Sequence, residues 1–161
     1  MHSSSERDLR EKLGPFLIPV GRTVAGVVVG VILSMTGIAI AWSLFVFFGG
    51  RAVDTWLSSL FFGAGFGAGI AAFVAWLHLD RETSRVLGLT ALVVISAGVA
   101  GAWGGYQYGS AQEVECCAMP TVSPGYYTAF GAAIVANIAG VAFASARAFI
   151  TRKNKLNSTT H

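Results

Sequence analysis

Four stretches of this chain are each long and apolar enough to cross a lipid bilayer, and no other feature of its 161 residues constrains the fold as much. They run over about 23–48, 56–79, 86–106 and 126–150, contain no acidic residue, and hold a single Lys or Arg, Arg147. A hydrocarbon core about 30 Å thick takes roughly 20 helical residues at 1.5 Å each. Inside lipid a backbone must satisfy its own polar groups, which makes helices the expected element. With 54% hydrophobic residues, 12% charged and a mean hydropathy of +0.64, a chain this short cannot hide its apolar side chains in one water-soluble core. The sequence therefore predicts an all-α polytopic membrane protein, a four-transmembrane-helix antiparallel bundle.

The charges predict its orientation. Of eleven Lys and Arg, Arg7, Arg10, Lys12 and Arg22 precede the first span. Arg81 and Arg85 lie between the second and third, and Arg147, Arg152, Lys153 and Lys155 close the chain. Only Arg51 falls on the opposite side, so the positive-inside rule puts both termini in the cytoplasm of a multi-pass cell-membrane protein. Trp42, Trp56, Trp103, Tyr106, Tyr108, Tyr126 and Tyr127 gather at the predicted outer interface, and Trp76 marks the inner one. The net charge of +3 is accounted for by these flanks, and no clustered basic face calls for nucleic acid.

Three regions follow. Residues 1–21 read as a cytoplasmic segment with a short amphipathic helix, capped by Ser5 and stopped by Gly14 and Pro15. Residues 22–150 hold the four spans and an outer loop at 107–125, and 151–161 read as a disordered cytoplasmic tail. The "AIA" at 39–41 imitates a signal-peptidase site, but the apolar run continues through "WSLFVFF" and reads as an uncut anchor. "GIAIAW" at 37–42 resembles "GVAGAW" at 98–103, and "FGAGIAAFVA" at 66–75 resembles "FGAAIVANIA" at 130–139, the pattern of a duplicated helical hairpin.

The second span is unusual for its glycines. Read by helical rows, Phe62, Phe66, Ile70 and Val74 form one bulky ridge. The other rows are Gly63, Gly67, Ala71 and Ala75; Ala64, Ala68 and Ala72; and Gly65 and Gly69. Such bare faces suit close helix contact, where packing drives association in lipid. Gly26, Gly30 and Ser34, then Ala97, Gly101 and Gly105, then Ala132, Ala136, Gly140, Ala144 and Ala148 offer matching faces on the other spans. Gly63, Gly65 and Ala68 also fit a dinucleotide-binding spacing, but without the preceding strand or the exposed helix start which that chemistry needs.

Reactive groups are scarce. His2, His78 and His161 are too scattered to hold a haem, no Ser/His/Asp set shares one depth, and no cofactor or enzymatic activity is expected. Asn137 is the one strongly polar group in mid-membrane, read first as an interhelical hydrogen-bonding residue. The outer loop carries Glu113, Glu115, Cys116, Cys117 and Met119. The two cysteines are read as structural thiols or disulfide partners, and with Met119 as candidate ligands for a soft metal such as Cu(I) or Hg(II).

Close-packing faces without reactive chemistry point to a non-enzymatic interaction, assembly or accessory subunit in a homo-oligomer or larger membrane complex. The alternative is a small transporter or channel, taking a soft metal or small solute at the acidic cysteine loop and passing it by Asn137.

Overall fold

A computed structural model describes residues 3–49, 53–76, 83–112 and 123–158, with side chains over 18–49, 55–76, 83–112 and 123–150. All four elements are helices: α1 (Ser3–Phe47), α2 (Val53–Trp76), α3 (Ser84–Ser110) and α4 (Pro124–Ser158). Within them Ile18–Phe47, Thr55–Trp76, Ser84–Ser110 and Pro124–Ile150 are long and apolar enough to span a membrane.

The helix ends follow local chemistry. Gly49 closes α1 in the left-handed region at φ 69°, which glycine adopts without a Cβ penalty. Its N–H bonds the Val46 carbonyl at 3.1 Å. Thr83 precedes α3 in an extended conformation, and Pro124 opens α4 where its missing N–H is not needed.

Two expectations at the chain ends need correcting. Gly14 and Pro15 do not stop a separate surface helix, because α1 runs unbroken from Ser3 into the first span. Pro15 and Pro19 withdraw the N–H donors that would serve the carbonyls of Glu11 and Pro15. Both carbonyls lie before Ile18, outside the apolar span, where water can take the donors' place. At the other end α4 continues to Ser158, so most of the expected disordered tail is helical. After Gly140 the sequence holds neither Gly nor Pro, and its Lys, Arg, Ala and Leu residues are good helix formers.

Among the described residues α1 packs on α2 and α4, α3 packs on α2 and α4, α2 also meets α4, and α1 does not touch α3. The α2–α4 contact spans the middle of the group. It is lined by Ala64, Ala68, Ala72, Ala132 and Ala136, which form one buried cluster with Val94 and Ala102 of α3. Ile38, Phe61 and Phe73 pack around this cluster. The interior is thus built from methyl groups, and the backbones come close enough to replace side-chain interdigitation. The ridge of Phe62, Phe66, Ile70 and Val74 is exposed. Near the Gly49 end of the helices Phe61 meets Tyr106, and Tyr108 meets Tyr127, both edge-to-face with centroids 5.4 Å apart.

The two similar hairpins differ at one matched position. Gly37 of α1 faces Gly63 within the first hairpin, while its sequence counterpart Gly98 of α3 faces Gly65, across to the other hairpin.

Candidate functional site

At several helix contacts a glycine stands close against the neighbouring helix. A Cβ built on Gly37 would land on the Gly63 carbonyl, and one built on Gly63 would meet the Gly37 carbonyl. Stereochemistry then aims one Cα–H of each glycine at the other's oxygen, a reciprocal pair of weak hydrogen bonds worth about 0.5–1 kcal/mol each. Gly101 and Gly131 repeat the arrangement between α3 and α4. Gly67 faces the Leu33 carbonyl and Gly105 the Tyr127 carbonyl in the same manner.

The other glycines read from the sequence face different neighbours. A Cβ on Gly65 would stand 2.5 Å from the Val99 amide nitrogen, and one on Gly69 would stand 2.6 Å from Ile95 Cγ1. So α2 offers Gly63 and Gly67 to α1, and Gly65 and Gly69 to α3. Ala136 is fully buried in the central cluster. Gly140 is covered by the Trp76 indole, whose Cδ1 lies 2.8 Å from where a Cβ would be. Trp76, read from the sequence as an interfacial ring, is half-buried, and its Nε1 has no partner among the described residues.

Asn137 sits where three helices converge. It is 1% exposed, and its Nδ2 donates to the Ala133 carbonyl one turn back on its own helix at 2.8 Å. Its Oδ1 lies against Gly26 of α1, in the space a Cβ there would need, with the Ala75 methyl of α2 beside it. Gly30, one turn further, takes the Ala133 methyl, 3.1 Å from its own Cβ position. The hydrogen bond expected from Asn137 to another helix is therefore not the one formed. Its amide closes on α4, and Oδ1 has no conventional donor among the described residues. The buried interhelical bond in this region comes instead from Ser34 Oγ, which donates to the Ala64 carbonyl at 2.9 Å. By contrast Thr23, Thr36, Ser43, Ser59, Thr90 and Thr128 turn their hydroxyls back onto their own helices.

Cys116, Cys117 and Met119 lie outside the described residues, as does His78. Among the described residues no group of three potential metal-ligating acids, histidines or cysteines comes together. Sequence reading missed Gly37 and Gly131 as contact points. Each stands alone among larger neighbours, and only the register between two helices shows what it meets. The chain matches no protein-family description, no curated protein and no solved structure.

Proposed function

We propose that this chain is an integral membrane protein of the cell membrane, an antiparallel four-helix bundle with both termini in the cytoplasm, acting as a non-enzymatic assembly or accessory subunit. The orientation rests on ten of its eleven Lys and Arg residues falling on one side of the spans. The antiparallel arrangement is supported by contact pairs such as Gly37 with Gly63 and Leu33 with Gly67, whose numbers rise on one helix as they fall on the other.

One observation carries the assembly reading, and it moves the docking surface away from α2. The glycine faces of α2 are occupied by the chain's own helices, whereas Ser96, Ala100 and Gly104 stand exposed at four-residue spacing on α3. A Cβ on Gly104 would meet nothing within 4 Å. That spacing lets a second helix approach closely, and lipid offers no hydrophobic penalty for leaving the face bare until it arrives. The test is native mass spectrometry after mild-detergent extraction. Ala100→Leu and Gly104→Leu should dissociate the complex while leaving the helical content intact. An unchanged complex in both variants would remove the reading.

A second reading, a small transporter or channel, draws on Asn137, because a buried acceptor with no donor among the described residues, in mid-membrane, is where a passing solute could be held. Proteoliposome flux of ions or soft metals that Asn137→Leu abolishes would favour it over assembly.

A further inference from the structure

Between α1 and α2 lies a groove of about 400 Å³, lined on α1 by Arg22, Ala25, Gly26, Val29 and Leu33 and on α2 by Ile70, Ala71, Val74 and Ala75. The sequence explains its shape. The more buried Gly26, Ala71 and Ala75 form a low floor, and the exposed Ala25, Val29, Ile70 and Val74 stand along its sides. From Arg22 to Leu33 the groove follows α1 for about 16 Å, roughly half of a 30 Å hydrocarbon core. It is therefore about as deep as one leaflet. Its length and apolar lining suit a single hydrocarbon chain, about 4–5 Å across at carbon contact distance.

Polarity identifies the rest of the occupant. The lining is apolar except for Arg22, which stands at one end. Arg22 is exposed, and no ion pair to it is present among the described residues. A guanidinium there suits a phosphate through charge-assisted, bidentate hydrogen bonds. We infer that this groove is a lipid site: one acyl chain of an anionic phospholipid lies between α1 and α2, with its headgroup phosphate on Arg22. The inference rests on the helices crossing a bilayer, and does not depend on any protein partner or on transport.

The full chain in dodecyl maltoside would be titrated with dioleoyl phosphatidylglycerol or dioleoyl phosphatidylcholine, and bound lipids counted by native mass spectrometry. One phosphatidylglycerol per chain is expected, favoured about fivefold over phosphatidylcholine, as one surface cation supplies about 1 kcal/mol. Arg22→Gln should erase that preference. Ala25→Trp should fill the groove from its side and abolish binding of both lipids, while Val28→Trp, exposed and outside the groove, should change neither. Arg22 is an exposed helix position, so its variant keeps the test decisive even if Ala25→Trp disturbs folding. Equal binding of the two lipids by the natural chain, an unchanged preference in Arg22→Gln, or a second copy of the chain in place of lipid would each overturn the site. Resistance of the chain to alkaline carbonate extraction tests the membrane reading separately.

Discussion

Gly37 and Gly63 meet face to face across α1 and α2, each occupying the place where the other's Cβ would have to go. The contact is backbone on backbone, so it has no flexible side-chain end that could move aside. Gly37→Val should lower stability by about 1–3 kcal/mol, the usual cost of overpacking, read as a lower thermal midpoint in detergent. Gly88 has nothing within 4 Å of its Cβ position, so Gly88→Ala should leave the midpoint unchanged or raise it. Equal losses in both variants would mean that glycine's role here is not close approach.

Gly26 and Asn137 should behave as a coupled pair. Gly26→Ala drives a methyl into Asn137 Oδ1 and should destabilise on its own. In an Asn137→Ala background the carboxamide is gone, and the same change should cost at least about 1 kcal/mol less. A double-mutant cycle by detergent denaturation measures the difference; strict additivity would show that the two groups do not share the space.

Ser34 bonds across to α2 while Thr36, two residues on and exposed, bonds its own helix. Ser34→Ala should therefore cost about 0.6–2 kcal/mol and Thr36→Ala close to nothing. Similar effects at both sites would argue that the Ser34 hydroxyl gains nothing from crossing to α2.

Orientation can be checked with single cysteines in a chain carrying Cys116→Ser and Cys117→Ser. In intact cells an impermeant maleimide should label Gln112→Cys and spare Ser4→Cys and Thr159→Cys until the membrane is opened. The reverse pattern would invert the topology.

The spans were legible because length and apolarity are properties of a segment by itself. The observed Thr55–Trp76 and Pro124–Ile150 fall within a few residues of the expected 56–79 and 126–150. The unbroken start of α1 was not legible, because Gly14 and Pro15 read as a stop unless the carbonyl that Pro15 leaves without a donor is known to lie outside lipid. The small faces of α2 could be read as rows, but their allocation could not. That Gly67 serves Leu33 while Gly65 serves Val99 depends on how three helices cross. The same limit hid the groove at Arg22, since its walls come from two helices far apart in sequence.

The uneven cover of the helices bears on how the chain is made. The most apolar window, in α1, has a mean hydropathy of 2.4 and is only 17% buried, whereas the glycine-rich window of α2 has 1.8 and is 39% buried. As the ribosome delivers them in order, the first segment can leave the translocon and reside in lipid unaccompanied. The second, less apolar and more enclosed, draws more of its stability from neighbours, and α1 already precedes it in the chain.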